Sequence, residues 1–157
     1  RTLRELLGEL GLDPFLMATG GRGLHLVVPL DRRADFDVAR SFARDVAELL
    51  AARHEDRLTT EVRKNKRRGR LFLDTMRNAY AQTAVPPYAV RARPGAPVAV
   101  PLAWSELADP DLRGGSWNTR TVRARLDRED PWKSMTRHAR SLSGPRKKLD
   151  KLLSRSA

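Results

Sequence analysis

Apolar residues recur at helical spacing in two parts of the chain. The first stripe predicts a helix over residues 2–11 and consists of Leu3, Leu6, Leu7 and Leu10. Thr2 and Glu5 have the spacing of a capping box at its start, and Gly11 suits its end. The second stripe predicts a helix over residues 35–53 and consists of Phe36, Ala39, Ala43, Val46 and Leu50.

Shorter apolar runs between these segments have the lengths of β-strands. Residues 15–18 and 24–30 flank a glycine-rich turn, which predicts a hairpin. Further strands are expected at 71–73, at 88–93, where apolar and polar residues alternate, and at 98–100. Two final helices are predicted over residues 131–142 and 145–153. Strands interleaved with helices favour an α/β or α+β fold.

The charge of the chain points to a polyanionic partner. There are 31 lysines and arginines against 19 acidic residues, a formal net charge of +12. Basic residues are concentrated in residues 62–70 and again in 133–157. Nucleic acid or an anionic membrane surface would explain this excess, although a solvated basic surface is an equally ordinary interpretation. The chain has no cysteine, and no apolar stretch reaches the roughly 18 residues of a membrane span.

The glycine-rich turn from Thr19 to His25 is the first candidate site. Its glycines let backbone N–H groups approach an anion closely, and Arg22 adds a cation suited to phosphate oxygens. The Gly-Lys-Ser/Thr ending of a Walker A loop is absent. A tight hairpin that needs glycine for its turn is the structural alternative, and from the residues alone it is slightly favoured.

Asp74, at the end of an apolar strand, is the second candidate. Its carboxylate could bind Mg²⁺ or Mn²⁺, and Arg77, Arg91 and Arg93 could hold phosphates. The structural alternative is an N-cap aspartate with Arg77 as a surface partner, and this alternative would normally be preferred. The histidines show no spacing typical of a zinc site.

Several blocks together resemble one family, the polymerase domain of bacterial ligase D. Thr19–His25 is similar to its Ser/Thr-Gly-Gly-Lys/Arg-Gly-Leu-His block, and Gly69–Asn78 resembles its strand with a metal-binding aspartate. The later blocks Thr83–Pro97, Pro101–Trp104 and Asp130–Trp132 also look like those of the family. The resemblance implies a member of the archaeo-eukaryotic primase superfamily.

The implied fold is α+β, with a mixed RRM-like sheet flanked by helices and incomplete at its N-terminus. Residues 1–157 would be the C-terminal part of one primase-polymerase domain, with a core over about 1–107 and an irregular, basic region over 108–157. The implied activity is that of a DNA-directed nucleotidyltransferase in non-homologous end joining. Its expected partners are DNA ends and nucleoside triphosphates, with a Ku-like protein and fused ligase or nuclease domains as further possibilities, in the cytoplasm and nucleoid of a bacterium.

The resemblance also assigns roles to individual residues. Asp74 would be a catalytic, metal-binding carboxylate in a site for two Mn²⁺ or Mg²⁺ ions. The residues expected to bind the triphosphate are Thr19, Gly20, Gly21, Arg22, His25, Arg77, Arg91 and Arg93. The basic run is expected to bind nucleic acid through Arg63, Lys64, Lys66, Arg67 and Arg68.

One departure from the family affects the expected activity. The family places an Asp-x-Asp pair on a strand before the first helix, upstream of this sequence. The strings Asp35-Phe-Asp37 and Asp109-Pro-Asp111 lie elsewhere and are interpreted as a helix start and a turn. One carboxylate does not make a two-metal site, so the chain by itself is expected to be weakly active or inactive.

Two other functions compete with this one. A non-catalytic, basic nucleic-acid-binding module would explain the charge and would bind DNA in a salt-sensitive manner. A basic structural protein would also explain the composition, but it would not explain the positions of Thr19, His25, Asp74 and Arg91.

Overall fold

A computed structural model of the chain describes residues 1–156. The contacts divide the chain into two compact units, each assembled from separate stretches of sequence. Unit 1 comprises Arg1–Leu12, Leu30–Thr83 and the segment that begins at Arg140, and unit 2 comprises Asp13–Pro29 and Ala84–Ala139. The secondary structure is α+β, as the sequence predicts. None of the helices in the described residues has both the length and the apolar character needed to cross a bilayer.

Unit 1 contains three long helices: α1 (Thr2–Leu10), α2 (Phe36–Arg53) and α4 (Ser143–Ser156). α4 contacts both other helices. The side chains buried in this unit are mostly apolar and include Leu6, Leu7, Leu10, Phe42, Val46, Leu50 and Leu149. Arg146 on α4 also forms ion pairs with Asp45 and Asp150, and these hydrogen bonds raise the pKa of its guanidinium.

The N-terminal cap of α2 agrees with the sequence analysis, whereas that of α1 does not. Asp35 is the N-cap of α2 and accepts a hydrogen bond from Val38 N at 2.8 Å, which fits the predicted helix start. The capping box predicted at Thr2 is wrong, because Arg1 is the N-cap of α1 and no side chain caps it. Gly11 ends α1 with φ of 87°, as expected of a left-handed C-cap.

The remaining elements of unit 1 are short. β3 (Leu58–Thr59) and β4 (Leu71–Phe72) pair in parallel, and 3₁₀ turns occupy Lys64–Lys66 and Met76–Asn78. Leu71–Phe72 corresponds to the predicted strand before Asp74, whereas no strand was expected at the position of β3.

Unit 2 is built on an antiparallel sheet with the strand order β2-β1-β5. β1 (Phe15–Ala18) and β2 (Leu24–Val27) form the predicted hairpin, and β5 (Val100–Leu102) pairs with the other edge of β1. The sheet buries a cluster consisting of Leu16, Ala18, Val98, Val100 and Leu102. Trp104, Leu112, Trp117 and Val122 pack against this cluster.

Two predictions for unit 2 are wrong. Residues 88–93 do not form a strand, because the backbone turns there with Tyr88 at φ of 60°, and only Val90 makes an isolated bridge, to Val98. Residues 131–142 do not form a continuous helix and contain only a 3₁₀ turn over Met135–His138. This stretch is instead held against β1, because Trp132 Nε1 donates to Leu16 O at 2.9 Å and His138 contacts Asp13 and the ring of Phe15.

A short helix, α3 (Arg123–Leu126), carries the buried charge of unit 2. The side chain of Arg125 is only 5% exposed. Its guanidinium makes two hydrogen bonds to the Glu106 carboxylate, at 2.6 and 2.8 Å, and one to Pro101 O at 2.6 Å. It also lies 5.7 Å from the centre of the Trp117 ring. Arg125 therefore ties the irregular region after β5 to the sheet.

Candidate functional site

The glycine-rich turn between β1 and β2 is closed by Thr19. Its backbone N–H and its hydroxyl both donate to Gly23 O, at 3.3 and 2.9 Å. Thr19 is buried, while Arg22 and Gly23 are exposed at the tip of the loop. The hydroxyl proton of Thr19 is thus used to shape the loop, and its oxygen can still accept a hydrogen bond.

Arg91 lies directly against this loop. Its Nη1 donates to Thr19 O at 3.0 Å. Gly20 has φ of 66°, and a Cβ added there would lie 2.8 Å from Arg91 Cγ and 3.1 Å from the carbonyl carbon of Val98. Gly20 is therefore required both by its backbone conformation and by the space that Arg91 occupies.

Arg93 approaches the neighbouring glycine. A Cβ added at Gly21 would lie 3.3 Å from Arg93 Nη1. The structure thus brings together two arginines and a loop that the sequence suggested separately. His25 lies on β2, opposite Met17, and is partly buried. Cationic side chains beside a glycine-rich backbone form an arrangement suited to an anion such as a polyphosphate.

The loop offers fewer backbone donors than the sequence suggests. Thr19 N–H is bonded to Gly23, and Gly20 N–H donates to Gly114 O at 2.8 Å. Among the described residues, the N–H groups of Gly21, Arg22 and Gly23 have no such partner, so they are the ones that can point to a ligand. The sequence reading missed Gly114, because a Gly-Gly pair marks a loop without indicating what that loop contacts.

Asp74 and Arg77 lie in unit 1, just after β4. Asp74 is exposed, and its Oδ1 accepts from Met76 N at 3.0 Å, as the N-cap alternative predicts. The second oxygen of the carboxylate remains a possible metal ligand. Arg77 Nη1 donates to Gln82 Oε1 at 3.0 Å, so its observed partner is not Asp74.

The described residues do not by themselves fit a metal centre. They contain no group of three or more His, Cys, Asp or Glu side chains arranged to hold an ion. Asp35-Phe-Asp37 opens α2, and Asp109 accepts from Asp111 N at 2.8 Å, so both strings have the structural roles that the sequence analysis gave them. A metal held by Asp74 would need further ligands.

The basic run contains two kinds of residues. Arg63, Lys64, Lys66 and Arg68 are exposed. Arg67 is partly buried, donates to Glu61 O and Val62 O at 2.9 and 2.7 Å, and lies 3.9 Å from the centre of the Phe72 ring. Arg67 therefore shapes this segment, whereas the four exposed residues present their charges to solvent.

The chain thus combines an α+β fold with a glycine-rich loop that two arginines flank. Residues 1–132 match the family described as LigD, primase-polymerase domain. The chain belongs to this family, which confirms the resemblance that its motifs indicated.

Relatives of known name support this assignment. The chain is 41% identical over 131 residues to the multifunctional non-homologous end joining protein LigD of Pseudomonas aeruginosa, a match that covers 81% of this chain and 15% of that protein. It is 36% identical over 139 residues to the corresponding LigD DNA repair protein of Mycobacterium tuberculosis H37Rv, covering 83% and 18%. The chain thus spans less than a fifth of these relatives.

A solved structure shows the same fold. The polymerase domain from Mycobacterium tuberculosis ligase D, in complex with DNA, matches with a TM-score of 0.81 and 34% sequence identity. The match covers 88% of this chain and 48% of that one.

Proposed function

We propose that this chain is part of a polymerase module that adds nucleotides to DNA ends during bacterial non-homologous end joining. In this proposal the glycine-rich loop binds the triphosphate of the incoming nucleotide. Thr19, Arg22, His25, Arg91 and Arg93 supply its polar and cationic groups. Nucleotide addition would take place at DNA ends in the bacterial cytoplasm.

One observation carries the nucleotide-binding proposal. Arg91 reaches the loop from a distant part of the sequence and donates to Thr19 O, while Arg93 approaches Gly21. A hairpin that needed glycine only for its turn would not require two arginines beside it. Guanidinium groups are suited to phosphate oxygens, because their donors are arranged in a planar fork.

Asp74 has a narrower role in the proposal. It contributes one oxygen ligand to a Mn²⁺ or Mg²⁺ site, which no group of three or more His, Cys, Asp or Glu side chains in the described residues forms by itself. We therefore propose that the 157-residue chain by itself extends DNA weakly or not at all.

Nucleotide binding can be measured directly. We expect the chain to bind a fluorescent deoxynucleoside triphosphate, and Arg91→Ala to weaken binding by roughly 10- to 100-fold, because a charge-assisted hydrogen bond is worth about 1.5–3 kcal/mol. Arg120→Ala is the matched control, since Arg120 is an exposed arginine of the same unit. Equal affinities of the two variants would contradict the proposed triphosphate site.

Extension of a primer tests the role of Asp74. With Mn²⁺ and nucleotides, the chain should give little product from an overhanging DNA, and Asp74→Ala should not lower it further. Strong extension that depends on Asp74 would show that the chain assembles a complete metal site after all.

A non-catalytic nucleic-acid-binding module is the second candidate. The exposed cations Arg63, Lys64, Lys66 and Arg68 favour it, as does the absence of a metal-binding group among the described residues. Salt-sensitive DNA binding without any triphosphate binding would favour this candidate over the first.

A further inference from the structure

Gly114 touches the glycine-rich loop through backbone atoms. It is buried, and its carbonyl oxygen accepts from Gly20 N at 2.8 Å. A Cβ added at Gly114 would lie 2.6 Å from Gly23 O, 2.8 Å from Gly21 O and 2.9 Å from the carbonyl carbon of Arg22. No rotation of a side chain can relieve such contacts, so either the loop or the segment around Gly114 would have to move.

The segment that carries Gly114 is itself fixed to the sheet. Val98 N donates to Trp117 O at 2.9 Å, and Trp117 packs against the core cluster of unit 2. Arg113 and Ser116 close the turn around Gly114, because Arg113 N donates to Ser116 Oγ at 2.8 Å. The loop therefore rests on a turn that the core holds in place.

From these contacts we infer that Gly114 is a positioning residue for the nucleotide-binding loop. Its carbonyl oxygen takes up the N–H of Gly20, and its lack of a side chain leaves room for the carbonyls of Gly21 and Gly23. The N–H groups of Gly21, Arg22 and Gly23 are thereby left to meet phosphate oxygens. The identity of the ligand in this inference rests on the proposed function, whereas the positioning of the loop by Gly114 does not.

Gly115 provides a matched control. A Cβ added there would lie 3.4 Å from Gly21 O, which is an ordinary contact. Gly114→Ala should weaken binding of a deoxynucleoside triphosphate by about tenfold or more, since small displacements of binding groups are costly. Gly115→Ala should leave the affinity within about twofold of the wild type, because no atom has to move. Val122→Ala, which loosens the core away from the loop, should lower Tm without this loss of affinity.

A second measurement does not depend on nucleotide binding. In the ligand-free chain, Gly114→Ala should shift the amide NMR signals of Gly21, Arg22 and Gly23, and Gly115→Ala should leave them in place. If Gly114→Ala leaves these signals unchanged, the inference is overturned whatever the chain binds. If the signals shift but the wild type binds no triphosphate, the loop is positioned by Gly114 and the proposed function is the part that fails.

The outer face of α4 carries a row of exposed basic residues. Leu142, which immediately precedes the helix, and Leu149 are buried, whereas Lys147, Lys151 and Arg155 are exposed and recur every four residues. At about 1.5 Å per residue these three cations follow one another at intervals of about 6 Å along the helix. Lys148 is exposed beside them, and its Nζ donates to Glu9 O at 3.2 Å.

This face carries positive charge that the protein does not neutralise. Asp150, the acidic residue of α4, is paired with Arg146, and Arg146 also binds Asp45. In the described part of the chain, Lys147, Lys151 and Arg155 have no salt bridge. The face lacks exposed aromatic or large apolar residues, which a membrane-surface helix needs.

We propose that this face of α4 binds the phosphate backbone of DNA, in addition to the basic run at residues 63–68. The regular spacing of the cations suits a row of phosphates, and such contacts would be independent of base sequence. A relative with the same fold has been solved with DNA, which favours DNA over a membrane as the partner.

Salt dependence of DNA binding tests this surface. Replacing Lys147, Lys151 and Arg155 together by Ala should reduce the slope of log K against log salt by about 2 to 3, because each phosphate contact contributes about 0.9. The control variant replaces Arg120, Arg123 and Arg128, three exposed arginines of unit 2, and so removes the same charge. Equal changes in the two variants would overturn the proposal, as would preferred binding of wild type to phosphatidylserine vesicles over DNA.

Discussion

The glycine-rich hairpin of unit 2 and the segment from Glu61 to Asn78 in unit 1 both carry candidate site residues, but they hold them differently. In the hairpin, Arg91 and Gly114 reach the loop from distant parts of the sequence. In the segment, Asp74 and Arg67 bond to residues at most six positions away. The first region depends on the core of its unit, whereas the second is shaped by its own neighbours.

The largest expected effect compares an arginine held in the core of unit 2 with an arginine that its own neighbours hold in the Glu61–Asn78 segment. Arg125→Ala should lower the free energy of unfolding by about 3–5 kcal/mol, because it leaves the Glu106 carboxylate without its buried partner. Arg67→Ala should cost only about 1 kcal/mol, since its bonds are local and partly solvated. Urea unfolding of both variants measures the difference, and similar losses would show that the two regions are not distinct in this respect.

A smaller effect is expected at two glycines with positive φ. Gly20→Ala should destabilise by about 2–4 kcal/mol, because backbone strain is added to the clash with Arg91. Gly69 also has a positive φ, of 80°, but nothing lies within 4 Å of an added Cβ, so Gly69→Ala should cost about 1–2 kcal/mol. Thermal unfolding of the pair separates strain from packing, and equal shifts in Tm would indicate that the contact with Arg91 does not matter.

The smallest expected effect is a loss of stability at alkaline pH, which arises in unit 2. Burial, together with the charge of Asp130, raises the pKa of Tyr88 above its ordinary value of 10.0, although Arg125 opposes this shift. The folded state therefore holds the phenol proton more tightly than the unfolded state does. The stability that this provides is complete below pH 10 and is lost as the pH rises through the folded pKa. When the free energy of unfolding is measured at different pH values, Tyr88→Phe should remove this loss of stability. An unchanged pH dependence in the variant would contradict the prediction.

The sequence predicted the elements whose pattern is local. α1 and α2 follow from apolar stripes with helical spacing, and the β1–β2 hairpin follows from two apolar runs around glycines. It also placed Asp74 at the end of a strand and recognised Asp35 as part of a helix start.

The failures occur where long-range contacts decide the structure. Residues 88–93 alternate like a strand, but Tyr88 has φ of 60° and only Val90 makes a bridge, to Val98, so the pairing does not extend along the segment. The stretch after Pro131 has helical composition, yet Trp132 bonds to β1. Gly114 could not be recognised, because its role depends on a loop that lies far away in the sequence.

The division of each unit into separate stretches has a consequence for how the protein is made. β1 pairs with β5 in the register Leu16–Leu102, so the sheet of unit 2 cannot be completed until most of the chain has left the ribosome. Contacts of such high sequence separation slow folding, and the unpaired edge of β1 is prone to aggregation until β5 is available to pair with it. Neither unit can be excised as one continuous fragment, because each consists of stretches that are separated in the sequence by parts of the other.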